Sequence, residues 1–135
     1  MPYELSLVSQ SKLQTCDARI QVVFNEVRKY FDFSVMDGHR DKETQNEKYR
    51  LGLSKVEWPN SQHNKIPSKA VDAIPYPACW VDRERFHFFA GLVLGIAFSL
   101  GINLRWGGDW DRDTEVKDNK FDDLGHFELV DEVAI

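Results

Sequence analysis

A chain of 135 residues with five prolines, eight glycines and no low-complexity run has the size of one ordinary domain around one core. Its net charge of −5 excludes a general electrostatic attraction to nucleic acid or anionic membranes, and no local basic patch offsets it. Cys16 and Cys79 form no CxxC pair, so a cysteine zinc site has no support and reduced thiols are expected.

Leu13, Cys16, Ile20, Val23, Phe24, Val27 and Phe31 recur at intervals of three and four. That period predicts one N-terminal helix over about 11–31, opened by Ser11 with Gln14 in a capping box. The start of the chain, MPYELSLVSQSK, lacks the basic and apolar regions of a signal peptide, so no export signal is expected. Residues 32–36 alternate as a short strand, Asp37 and Gly38 turn, and 41–49 read as a polar helix that stops near Gly52. The stretch 52–69, rich in Ser, Asn and Pro, is a loop, and 70–74 form a second strand ended by Pro75 and Pro77. Residues 88–102 are apolar nearly throughout, but the run falls short of the ~20 residues that a membrane span needs. With Asp82 as N-cap and charged residues in the first turn, it predicts a central buried helix ended by Gly101. A third strand at 102–106, a long polar loop and a last strand at 125–130 complete an α+β order.

The strand period of two sends His126, Glu128 and Val130 to one side of the last strand and Phe127 and Leu129 to the other. Asp72 likewise opposes Val71 and Ala73, so adjacent strands can bring Asp72 and His126 to one face, with His63 supplied by the central loop. Taken singly, each is more often a surface or hydrogen-bonded residue than a ligand. Together, two imidazoles and a carboxylate suit a catalytic zinc, because three protein ligands leave a position for a water that the metal acidifies. Asp123 adds a second carboxylate three residues before the last imidazole. His87, on the apolar helix, reads as a hydrogen-bonded core histidine, and His39 has no place in the set. Asp109, Asp111, Asp113 and Asp118 alternate in the polar loop as calcium ligands can, but without the glycine and terminal glutamate of an EF-hand they read as a solvated loop over the cleft.

These residues carry a resemblance. Ser61-Gln62-His63, Ala70-Val71-Asp72 and Asp123-Leu124-Gly125-His126, joined by Gly38-His39-Arg40 and by Arg105 to Trp110, resemble the LAS group of zinc peptidases, which takes its name from lysostaphin, D-Ala-D-Ala peptidases and sonic hedgehog. Within it the chain looks most like the D-Ala-D-Ala carboxypeptidase family of VanX- and VanY-like enzymes, and within that like the small phage endolysins that cut the L-alanyl-D-glutamate bond. The likeness covers roughly 33–130. It departs from the usual Ser-x-His-x-x-Gly-x-Ala-x-Asp pattern, because His63 and Asp72 are nine apart instead of seven and Pro67-Ser68 replaces the glycine. Two further residues in a loop cost little closure entropy and need not move either end.

The resemblance implies a single α+β domain over 1–135, with a catalytic core over about 33–130 and a small antiparallel sheet that carries the site and packs against helices. It implies one zinc ion on His63, Asp72 and His126, with Asp123 as general base and Arg40 stabilising the oxyanion. Asp122 is the neighbour that the base could be mistaken for, Ser61 is a candidate substrate contact, and Glu128 is a candidate partner behind His126. The implied substrate is bacterial peptidoglycan, met by a monomer without nucleic acid or stable membrane association. Accumulation in the host bacterial cytoplasm is expected, with access to the wall after a holin opens the membrane. The rival expectations are a D,D-carboxypeptidase or dipeptidase at D-Ala-D-Ala termini, and a zinc-containing binding module without catalysis.

Overall fold

The computed structural model describes residues 2–130. The expected domain span of 1–135 therefore extends past the described residues at both ends. Among those residues four helices and a four-stranded antiparallel sheet realise the expected α+β order.

The N-terminal periodicity is split between two helices, where one was expected. Helix α1 covers Leu7–Leu13 and is capped by Ser6, whose side chain accepts from the Ser9 amide; α2 covers Ala18–Val27 and is capped by Asp17. Ser11 and Gln14 form no capping box, for Gln14 closes α1 and the Ser11 hydroxyl donates to the Val8 carbonyl. The break has a tertiary cause: Cys16 bridges to Ser68, the Asp17 amide donates to the Ser68 carbonyl at 2.8 Å, and the Ser68 amide donates to Thr15 at 2.9 Å. The apolar spacing survives the break, so Leu13, Cys16, Ile20, Val23, Phe24 and Val27 all reach the core.

Strand β1 covers Phe33–Asp37, and Gly38 follows it where an added Cβ would strike the Lys12 carbonyl and the Thr15 hydroxyl. Helix α3 covers Lys42–Arg50 with Asp41 as cap, and Gly52 at φ +76° lets the chain leave it. Strand β2 covers Ala70–Pro75, β3 covers Leu104–Gly107 and β4 covers Asp123–Leu129, in the sheet order β1-β2-β4-β3. Asp72 lies directly opposite His126, and Val71 opposite Phe127.

Helix α4 covers Arg83–Ser99, with Asp82 as cap and Gly101 at φ +73° beyond its end. It is not buried all round as expected. Phe86, Phe89, Ala90, Val93 and Ala97 face the interior, whereas Phe88 and Phe98 are 71% and 61% exposed, because α4 is an outer layer with the sheet and α2 on one side only. Phe24, Phe33, Phe89 and Phe127 meet edge-on or tilted at 5.5–6.1 Å between the helices and the sheet. Burying one such side chain stabilises by about 1.5–3 kcal/mol. No described helix is long and apolar enough to cross a membrane.

Candidate metal centre

The opposite face of the same strands is polar. His63 Nε2 stands 3.3 Å from Asp72 Oδ1, and His126 Nδ1 stands 3.1 Å from the same oxygen. Three side chains expected to act together are thus gathered, with one ligand atom from each within 4.8 Å of the others. The longer His63 to Asp72 spacing is absorbed in the loop between them. His63 and His126 are buried, and Asp72 is half-buried between them.

The arrangement behind the rings fixes their protons. His63 Nδ1 lies 2.6 Å from the Gly38 carbonyl, which can only accept, so Nδ1 carries the hydrogen and Nε2 turns its lone pair inward. His126 Nε2 lies 2.7 Å from a Glu128 oxygen, so it donates outward and Nδ1 faces Asp72. With both rings neutral, two ring nitrogens and a carboxylate oxygen converge with no donor among them, an arrangement that can hold a cation at the centre. A divalent metal held by nitrogen and oxygen ligands fits this set. In the metal-free chain a proton serves instead: burial alone would lower the His126 imidazole, but its bonds to Asp72 and Glu128 and the nearby carboxylate charges outweigh it, raising the pKa to about 10. Burial likewise works against ionised Asp72, and the charges and hydrogen bonds of the two histidines overcome it, holding the carboxyl well below the usual range.

His63 owes its position to a short 3-10 turn, Gln62–Asn64, capped by Ser61. The Ser61 hydroxyl accepts from the His63 amide at 3.1 Å, and the Asn64 side chain accepts from the Ser61 amide at 3.0 Å. Arg40 is buried and has three guanidinium nitrogens committed: Nε to Asp37 at 3.0 Å, one terminal nitrogen to Gln45 at 3.4 Å, the other to Asp72 Oδ2 at 2.6 Å. Gln45, fully buried, also accepts from Asn64 and donates to Ser54 and the Val56 carbonyl, which joins the Arg40 and His63 supports to the loop after α3. Gln45 and Asn64 were not singled out from sequence. The Ser-x-x-Asn spacing of the capping box could have flagged Asn64, but nothing local distinguishes Gln45 within a polar helix.

Asp123 opens β4 beside the cluster, its carboxylate 3.9 Å from His126 Nδ1 and accepting no hydrogen bond among the described residues. Desolvation raises its pKa above the ordinary value, against the nearby His126 charge. Gly107 opposes Asp123 across a bulge, and a Cβ there would collide with the Asp123 carbonyl. Asp122 is committed elsewhere, accepting from Arg83 at 2.6 Å and from Asn119 at 2.8 Å. Glu128 stands between His126 and Arg105, which donates to it at 2.7 Å.

The remaining candidates separate. His87 is half-buried at the edge of the helix layer instead of in the core, bonded to the Arg83 carbonyl and set edge-on against Trp106. His39 stays outside the cluster. Asp109, Asp111 and Asp113 gather as a carboxylate group, and Asp109 accepts from the Asp113 and Thr114 amides. Both cysteines are free, and burial pushes the Cys16 thiol up to about 12.

Over residues 1–130 the chain matches the family described as phage L-alanyl-D-glutamate peptidase. It is 29% identical over 139 residues to the L-alanyl-D-glutamate peptidase of Escherichia phage T5, with 96% of this chain and 100% of that protein covered. The crystal structure of the Serratia marcescens L-Ala D-Glu endopeptidase ChiX is similar at a TM-score of 0.71 and 26% identity, covering 94% of this chain and 90% of that one.

Proposed function

Because this chain belongs to the phage L-alanyl-D-glutamate peptidase family, we propose that it is a zinc-dependent endolysin that hydrolyses the L-alanyl-D-glutamate bond of the peptidoglycan stem peptide. The observation that carries the mechanism is the contrast between two adjacent carboxylates. Asp123 is free of hydrogen bonds among the described residues and stands beside His126, whereas Asp122 is tied to Arg83 and Asn119. His63, Asp72 and His126 would hold one zinc ion. When bound, the ion acidifies a water and polarises the scissile carbonyl.

Asp123 takes the proton of the attacking water and hands it to the leaving D-glutamyl amine. Its desolvated carboxyl, shifted upward, suits a group that must both accept and return a proton. Arg40 holds Asp72 and contributes a fixed positive charge where the oxyanion develops. Ser61 lines the same cavity, and its hydroxyl hydrogen is available to a substrate carbonyl. The reading includes accumulation in the host bacterial cytoplasm, with the wall reached after the membrane opens.

Zinc analysis and wall digestion test this together. Asp123→Ala is expected to retain about one zinc per chain and lose roughly 10²–10⁴-fold in hydrolysis, as removal of a general base does. Asp122→Ala is expected to stay active, and His63→Ala and His126→Ala to lose the metal. Mass spectrometry of digested peptidoglycan is expected to find new L-alanine carboxyl and D-glutamate amino termini. Wild-type digestion by Asp123→Ala, or release of D-alanine alone, would sink the reading.

A further inference from the structure

Two cavities meet at the candidate metal centre, one of about 490 Å³ and one of about 350 Å³, and share Arg40, Leu53, Asp72 and Asp123 as walls. The larger arm is lined by apolar side chains, among them Met36, Ile74, Trp80, Phe86 and Leu124, and by ion-paired charged ones such as Lys48 and Arg83. The smaller arm contains the histidines and runs past the loop that carries Lys55 to Trp110 and Phe121.

Five cationic side chains line these arms, and four have a carboxylate partner. Arg40 pairs with Asp37 and Asp72, Lys48 with Asp37, Arg83 with Asp122 and Arg105 with Glu128. Lys55 has no carboxylate within ion-pair distance among the described residues; its Nζ stands 4.6 Å from the centre of the Phe121 ring. Phe121 stacks almost parallel on Trp110, and Trp110 leans on the His126 ring at 5.4 Å. The uncompensated cation is thus set in register with a candidate metal ligand by a continuous row of rings. A ring face leaves the ammonium without a charged hydrogen-bond acceptor, so Lys55 can turn to an anion without breaking an ion pair.

The proposed substrate carries an anion next to the reacting bond. The D-glutamyl residue bears its α-carboxylate on the carbon attached to the scissile nitrogen, because the stem continues through its side-chain carboxyl. The alanyl residue on the other side offers a methyl group and no charge. We propose that Lys55 receives the α-carboxylate of the D-glutamyl residue. The D-glutamyl half then lies in the smaller arm, and the alanyl half lies against the apolar wall of the larger one. This rests on the peptidase reading above and adds the direction of the substrate and the residue that selects its charge.

The test uses two synthetic stem peptides, one with the free D-glutamyl α-carboxylate and one with that group as the carboxamide, on the zinc-loaded full chain. The wild type is expected to favour the carboxylate about tenfold through KM, the discrimination that one charge-assisted hydrogen bond supplies. Lys55→Met is expected to abolish that preference, Lys55→Arg to restore it and Lys48→Met to keep it. An unchanged preference in Lys55→Met, or an equal loss on both peptides, overturns the assignment while leaving the peptidase standing. Cleavage of neither peptide by the wild type overturns the peptidase reading, and this assignment with it.

Discussion

On one face of β2 and β4, Val71, Ala73, Phe127 and Leu129 pack into the core; on the other, Asp72, His126 and Glu128 form a chain of hydrogen bonds. The same two strands make both, because successive side chains point to opposite sides. The first face is held by burial, which has no preferred direction and tolerates exchange among apolar groups of similar volume. The second is held by directional hydrogen bonds, arranged around a centre that can hold a cation. A slip of one residue in the β2–β4 register would turn one strand over and bury Asp72 or His126 among phenylalanines, so core and site specify the same pairing.

The largest expected departure between the faces comes from Phe127→Ala. Phe127 is fully buried and meets Phe24 and Phe89 edge-on, so truncation is expected to cost about 3–5 kcal/mol of stability. Denaturant unfolding measures this, and the molecules that remain folded should bind the proposed zinc as tightly as the wild type. A cost below about 1 kcal/mol would mean that the core collapses around the gap, which such aromatic sites seldom permit.

Next in size is Glu128→Gln, one residue along the strand and on the other face. It keeps the volume but removes the charge that orients His126 and pairs with Arg105. Loss of such a partner typically weakens metal binding by about 10–100-fold. Competition with a chelator measures the affinity, and unfolding should move less than in Phe127→Ala. Unaltered zinc affinity would show that Glu128 serves the Arg105 pair instead of the histidine.

The sequence exposes these two faces unequally. His63, Asp72 and His126 were legible because residue type, strand period and order agree, and the structure gathers them despite the longer intervening loop. The Glu128 contact followed from the same period. The one-sided burial of α4 was not legible, since an apolar run with phenylalanines on both sides gives no sign of which side meets solvent. Lys55 and Gln45 gain meaning only when a distant ring or loop comes to them. The break in the first helix was hidden for a related reason: its apolar spacing continues through residues 14–17, and the interruption is imposed by Ser68, far along the chain.

That break offers the smallest and sharpest test of whether the two faces are separable. Asp17 caps α2 by accepting from the Arg19 amide at 2.9 Å, while its own amide ties the chain to Ser68 at the entrance to β2. Asp17→Ala removes the cap and leaves the backbone tie, at an expected cost of about 1 kcal/mol. The Arg19 side-chain hydrogen bond, opposed by some desolvation, holds the Asp17 carboxyl below its ordinary value. A carboxyl lowered in the folded state stabilises above its unfolded pKa, and that contribution is lost as pH falls through the folded value. The gap between wild type and variant should therefore be full at neutral pH and close below about pH 4, which unfolding at a series of pH values would trace. Zinc affinity should stay within about twofold, since the Asp17 side chain bonds to Arg19 and shares no hydrogen-bond partner with the cluster among the described residues. An affinity loss matching that of Glu128→Gln would mean that the entrance to β2 sets the position of Asp72, and that the polar face depends on the helix layer for more than its register.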